Sequence, residues 1–203
     1  MSVLDRDFYN RDSLIVAQEL LGKVLVHETD GQKIAAIIVE AEAYMGIKDK
    51  AAHSYGGKRT SRVEVMYGGP GFAYVFMIYG MYYCFNIVTR EAGNPQAVLI
   101  RAVEPGEGLE RMARKRFKKS YDQLNRRQII GLTNGPGKLC QALLIDKALN
   151  GEDLCGSKLY VEEGEKENFR VIAAKRVGID YAGEAKDYPW RYYIEDNPYV
   201  SVK

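Results

Sequence analysis

The stretch FAYVFMIYGMYYCFNIV, residues 72–88, carries seven aromatic residues and one glycine without a single formal charge. No other segment restricts the fold so tightly. Aromatic and aliphatic residues fill both of its halves, and Tyr79, Gly80 and Met81 stand between them. That order predicts two strands, Phe72–Ile78 and Tyr82–Thr89, around a tight turn. An isolated hairpin is barely stable in water, so it must belong to a larger sheet with an apolar layer over it. Its turn is unusual: Ile78, Tyr79, Met81 and Tyr82 occupy positions where polar residues are the norm. A projecting apolar tip either packs on its own domain or serves as a wedge of the kind that parts stacked bases. The rings behind it either fill a wide core or meet a flat ligand.

The flanking segments supply the sheet. Lys23 to His27 alternates as a strand does, and TDGQ is a turn into a strand that starts near Ile34 and runs to Tyr44. Gln96–Glu104 is a further strand, ended by Pro105, and KLYVEE, FRVIAAKRVG and WRYYIEDNPYVS return the C-terminal third to strands. Helices are expected from Asp12 and Ser13 to Gly22, over Glu107–Phe117, and from the Gly135-Pro136-Gly137 turn to Gly151. No repeat or linker-like tract interrupts the 203 residues. The expected fold is α+β: a single compact domain over 1–203, around a curved, mainly antiparallel β-sheet with flanking helices and a protruding β-hairpin.

Cys84, Cys140 and Cys155 are widely spaced and form no C-x-x-C pair, which fits neither a disulfide framework nor a zinc site. The N-terminus MSVLDRDFYNRD is charged and lacks the apolar stretch of a signal peptide, and no run is long enough to span a bilayer. A cytoplasmic protein with no membrane partner is therefore expected. A net charge of +2 says little about partners, but RMARKRFKK, residues 111–119, together with Arg126 and Arg127 concentrates positive charge locally. Such a block is either a solvated face or a nucleic-acid contact.

Several side chains could carry chemistry. On a strand, Glu40, Glu42 and Tyr44 of EAEAY share one face. They either line a solvated face or, since AAIIV upstream suggests burial on both faces, set a carboxylate with work or a partner beside a stacking ring. His53 is either structural or brought by its loop over the same cavity. Gly56 and Gly57 lead into Lys58, Arg59 and Arg62, a loop able to track phosphates. Asn86 is a core amide satisfied by backbone or one with an edge toward a ligand. Arg101, within AVLIRAVEP, wants a carboxylate or phosphate, and Glu40, Glu42 and Glu104 are available. Two function classes fit these residues: a non-catalytic nucleic-acid-binding module, and a metal-dependent hydrolase using Glu40, Glu42, His53 and Cys84.

The segments VEAEAYMGIKDKAAHSYGGKRTSR, GPGFAYVFMIYGMYYCFNIV, VLIRAVEPGEGLERM, NGPGKLCQAL, RVGIDYAGE and WRYYIEDNPYVS cover most of the chain in order. Together they resemble the alkyladenine (3-methyladenine) DNA glycosylases of the monofunctional mammalian type, which also occur in bacteria. The resemblance implies a hydrolase of N-glycosyl bonds without lyase activity, acting as a monomer with neither metal nor organic cofactor. Its partner would be double-stranded DNA bearing damaged purines (alkylated adenines, hypoxanthine, ethenoadenine), flipped out and excised in base excision repair. Glu42 would activate water, and Arg101 would support the site near that carboxylate. Tyr44 and His53 would sandwich the extruded base, Phe76 would line the pocket, and Asn86 would crowd the 2-amino group of guanine. Tyr79, with Met81 beside it, would enter the minor groove. Arg59, Arg62 and Lys138 would meet phosphates. Phe76 stands where the best-known members carry a tyrosine, so the stacking face is kept and the hydroxyl is absent.

Overall fold

In the computed structural model, which describes residues 2–164 and 168–202, two long strands, β2 (Gln32–Tyr44) and β5 (Gln96–Glu107), lie antiparallel at the centre. With β1 (Val24–Thr29), β3 (Ala73–Ile78), β4 (Tyr82–Thr89) and β6 (Leu159–Glu162) they form a curled antiparallel half-barrel in the order β3-β4-β5-β2-β1-β6. A second antiparallel pair, β7 (Val171–Ala174) and β8 (Arg191–Ile194), joins the sheet where β8 meets β2. One edge of β2 is followed by β5. The other changes partner, from β1 along residues 32–37 to β8 at residues 40–42. Glu40 and Glu42 thus lie in an interior strand, flanked on both edges. Register shifts between β2 and β5 on either side of Glu40 are bulges, which sharpen twist and bend a sheet.

The helices α1 (Arg6–Tyr9), α2 (Ser13–Glu19), α3 (Leu109–Phe117), α4 (Arg126–Ile130) and α5 (Pro136–Ala142) are short. Asp12 caps α2 by accepting the Leu14 N–H. α2 lies on β2 and α5 on β4, closing a core that includes Leu20, Ile38, Phe85, Ile100, Met112 and Leu139. Burying each of the large apolar side chains there is worth about 1.5–3 kcal/mol. Among the described residues no helix is long and apolar enough to cross a membrane.

The structure moves several predicted boundaries. The first predicted helix ends at Glu19, and Gly22, at a φ of 82°, turns the chain into β1. Pro105 does not end β5: it pairs with Ala36 beside a register shift, where a missing ladder N–H is tolerated. Glu107 therefore belongs to the strand, and α3 begins after Gly108. The helix expected to reach Gly151 stops at Ala142, because Leu144 takes a left-handed φ of 58°. Lys147–Leu149 is a separate single turn. FRVIAAKRVG is strand only over Val171–Ala174 and WRYYIEDNPYVS only over Arg191–Ile194. The loops that replace the missing strand residues fold back over β2.

The hairpin forms where the sequence places it. Met81 N–H donates to the Ile78 carbonyl at 3.2 Å. Tyr79 and Gly80, with φ of 51° and 69°, both take the left-handed angles of a primed hairpin turn.

Candidate active site

Neither glutamate of β2 lines a solvated face; both are fully buried. Glu40 is saturated by donors. Arg191 Nη1 donates to Oε1 at 2.8 Å and Arg101 Nε at 3.3 Å, while the Ser201 N–H donates to Oε2 at 2.7 Å. Glu42 has a different set of partners. Its Oε1 accepts the Val177 N–H at 2.8 Å and faces Arg101 Nη1 at 3.3 Å; its Oε2 accepts the Tyr44 hydroxyl at 2.8 Å. Burial raises the Glu42 pKa above the ordinary 4.5, with Arg101, the Val177 N–H and the Tyr44 hydroxyl pulling the other way. Of the carboxylates offered to Arg101 by the sequence, Glu40 and Glu42 take it, and Glu104 accepts from Asn197 instead.

Tyr44, Arg101 and Val177, the three groups that hold Glu42, all lie on the wall of one cavity of about 340 Å³. Such a volume falls at the small-ligand end of binding pockets. β3 and β4 contribute the opposite side through Tyr74, Phe76, Cys84 and Asn86. His53, on the loop after β2, packs on Phe76 with ring centroids 4.6 Å apart, and its Nδ1 lies 2.8 Å from the Tyr74 hydroxyl. Burial first, then Arg62 and Lys58, depresses its pKa to about 4, so the imidazole is neutral near neutral pH. Asn86 is buried, and its amide nitrogen donates to the Tyr74 carbonyl at 3.1 Å. Backbone thus fixes the amide of a residue that lines the cavity.

The hairpin tip stands at the rim. Tyr79 is 87% exposed and Met81 67%, so these two side chains stand clear of their own domain, while Tyr82 packs against Gly137 of α5. Arg62 reaches back over the Phe76 ring, its guanidinium carbon 5.1 Å from the centroid, and donates to the Met77 carbonyl at 3.3 Å. Arg59 is engaged by Glu64 through Nε at 3.0 Å and lies over the Tyr67 ring. Lys138, in the first turn of α5, donates to Asn134 at 2.8 Å. The basic block of α3 is partly self-neutralised, Arg111 by Asp30 and Arg114 by Glu110.

Glu42, Tyr44, His53, Phe76, Asn86 and Arg101 therefore converge, with Tyr79 at their mouth. Among the described residues no three His, Cys, Asp or Glu side chains gather as a metal-ion site requires; the glutamates face arginines instead. Tyr74, buried in the core, also lines the cavity and bonds His53; the sequence did not single it out as a site residue. Sequence reasoning also missed Val177, Gly178, Ile179 and Tyr181 on the opposite wall. Val177 acts on Glu42 through its backbone, which no side-chain pattern signals. Arg191 left a trace: two buried glutamates needed more positive charge than Arg101 alone supplies.

A family model described as Methylpurine-DNA glycosylase (MPG) matches residues 7–198. The chain is 76% identical to a protein of Desulfitobacterium hafniense (strain Y51) over the full length of both. It is 57% identical to one of Clostridium acetobutylicum over 98% of this chain and 97% of the relative. A third, from Alkaliphilus oremlandii (strain OhILAs), is 54% identical over 98% and 99%. All three are provisionally named 3-methyladenine DNA glycosylase.

Proposed function

The chain belongs to the methylpurine-DNA glycosylase family of hydrolases acting on N-glycosyl bonds, and on that premise we propose that the cavity receives a damaged purine turned out of duplex DNA and that Glu42 activates the water that displaces it. The observation that carries this reading is a fully buried carboxylate whose hydrogen-bond donors form the wall of an aromatic cavity. Purely structural burial of that charge would be costly, and a plain DNA binder gains nothing from a negative charge beside an anionic ligand.

In the proposed reaction the water oxygen bonds to the sugar C1′ as the bond from C1′ to the purine nitrogen breaks. The electron pair of that bond leaves with the base, and the water proton passes to Glu42. Before it accepts the proton, the carboxylate also stabilises the positive charge that grows on the sugar. An N-alkylated adenine is cationic in DNA and departs neutral. Hypoxanthine and ethenoadenine are neutral in DNA and depart with a proton taken from solvent water as the bond breaks. Oε2 becomes available to water when the Tyr44 hydroxyl releases it, so stacking of a base on Tyr44 and activation of water are linked in one residue.

Tyr44 and the neutral His53 hold the base by its faces, with Phe76 as the wall beside it; each base-on-ring contact is worth about 1–3 kcal/mol. Asn86, fixed by its bond to the Tyr74 carbonyl, cannot swing aside for the 2-amino group of guanine. Tyr79, supported by Met81, fills the gap left in the stack. Arg62 and Lys138 meet phosphates, and Arg59 does so by exchanging Glu64 for one. A single copy suffices, because every residue named comes from one chain.

The test is a panel of duplexes, each with one defined damaged purine. Free base should appear together with an abasic site that breaks only on alkali treatment. Tight binding of every lesion with no base released from any would remove the enzymatic reading, and strand breakage without alkali would remove its monofunctional part.

A further inference from the structure

One buried charge pair close to the cavity takes no part in the chemistry above. The Arg176 side chain is fully buried and bonded bidentately to Asp49, Nη1 to Oδ2 at 2.5 Å and Nη2 to Oδ1 at 2.9 Å. Its guanidinium carbon lies 4.8 Å from the centroid of the Tyr44 ring and 4.9 Å from that of Trp190. Nη1 also donates to the Ala43 carbonyl at 3.0 Å, and Nη2 to the Ala185 carbonyl at 3.2 Å. The next residue, Val177, supplies the N–H that holds Glu42. Asp49 in turn accepts the Met45 and Ala51 N–H groups, fixing the loop that leads to His53.

We propose that Arg176, clamped by Asp49, is the positioning residue of this site: it sets the Tyr44 ring from behind, fixes the His53 loop through Asp49, and presents the Val177 N–H to Glu42. The inference rests on the reading of Glu42 and Tyr44 given above. Stability alone is a poor reason for the pair, since a buried ion pair replaced by apolar groups of similar volume is often neutral or better. Among the described residues the Arg176 Nε–H has no partner, a further cost that a purely structural residue would be better without. Lysine cannot replace this arginine. Its ammonium keeps the charge but has neither the planar fork that matches Asp49 nor the flat face that stacks between two rings.

Two stretches distant in sequence, residues 43–51 and 176–190, meet at this guanidinium, and a shift in either moves a reacting or stacking group. Misplacement of about 1 Å can lower a rate on the order of 100-fold. Arg176→Lys should therefore lower the single-turnover rate of base release by about 10- to 100-fold. Affinity for a duplex that already carries an abasic site should stay within about twofold, because that ligand has no base to stack on Tyr44.

The acid limb of the pH–rate profile should also move to higher pH. Loss of the Val177 N–H removes a donor that lowers the Glu42 pKa. The other titratable and charged groups around Glu42 remain: Arg101 on β5, Tyr44 and Glu40 on β2, Cys84 on β4, Tyr181 on the loop after β7, and Arg191 as its register partner on β8.

The experiment measures single-turnover base release against pH, abasic-duplex affinity and thermal unfolding for wild type, Arg176→Lys, Asp49→Asn and Glu42→Gln. Support is a lowered rate and raised acid limb in Arg176→Lys, or in Asp49→Asn where the lysine variant does not fold, with abasic affinity kept. A rate within about twofold of wild type and an unmoved limb overturns the proposal. So does a loss of rate matched by an equal loss of abasic affinity, which marks the pair as structural. Glu42→Gln separates the two claims: if it keeps the wild-type rate, the reading of Glu42 fails. If it loses the rate while the Arg176 and Asp49 variants do not, only the positioning role fails.

Discussion

Two residues apart on one strand, Glu40 and Glu42 differ in what surrounds them, and that difference separates their work. Neither lines the cavity itself; Glu40 meets two arginines and a backbone amide of Ser201, outside the cavity wall, and so anchors Arg101. Glu42 shares Arg101 but is otherwise held by a tyrosine hydroxyl and an amide on the cavity wall. Its burial-raised pKa fixes the sign of the pH dependence. In the proposed reaction the ionised form is the base, so the rate should fall as pH falls, with the limb above 4.5. His53, which protonates only near pH 4, lies below that limb. Single-turnover rates across the acid range check this, and a rate flat down to pH 4.5 contradicts it. Asn86 yields a second expectation at this scale. Asn86→Ser should raise excision of guanine analogues relative to hypoxanthine by about 1–3 kcal/mol of discrimination, read as a ratio by competition in one tube. An unchanged ratio would make Asn86 a structural amide only.

The hairpin β3–β4 shows how one element holds two roles. Alternate residues Tyr74, Phe76, Cys84 and Asn86 face the cavity, while its turn carries Tyr79 into solvent. Tyr79→Ala should leave thermal stability within about 0.5 kcal/mol of wild type, since the ring touches little of its own domain. Affinity for a lesion in duplex DNA should fall, and affinity for the same lesion in single-stranded DNA should not, because only the duplex has a gap to fill. A fall in melting temperature with duplex affinity intact would show the ring to be core. The hairpin was legible from its apolar fill around a Gly turn and β2 from its β-branched run, while a two-residue period brought out Glu42 and Tyr44; Asn86 stood out as a polar residue in an apolar strand, and Phe76 came from the family resemblance alone. The overrun of α5 came from Leu144, whose left-handed backbone breaks an apolar run that reads as continuous helix. The wall from Val177 to Tyr181 was illegible for another reason: a loop contributes an amide and a rim, and neither has a periodic signature.

At the scale of the whole molecule the site is a product of long-range closure. Glu40 and Glu42 from β2, Arg101 from β5, Val177 from a late loop and the Ser201 amide near the C-terminus meet within one network, beside a cavity that Asn86 of β4 lines. Local propensity does not specify such a meeting, which is why β8 and the C-terminal residues were read as sheet and not as part of the site. A chain shortened to end at Asn197 loses the buried Val200 and the Ser201 donor to Glu40. It should be destabilised by at least about 2 kcal/mol and lose base release with it; a shortened chain that unfolds at the wild-type temperature would show that the network closes without it. The central claim is that Glu42 performs the hydrolysis inside an intact pocket. Single-turnover release of free base from a duplex bearing one hypoxanthine, measured with affinity for the same duplex, tests it by comparing wild type with Glu42→Gln. The account predicts a rate lowered by about 10²- to 10⁴-fold with affinity kept. A Glu42→Gln rate within a few-fold of wild type would contradict it.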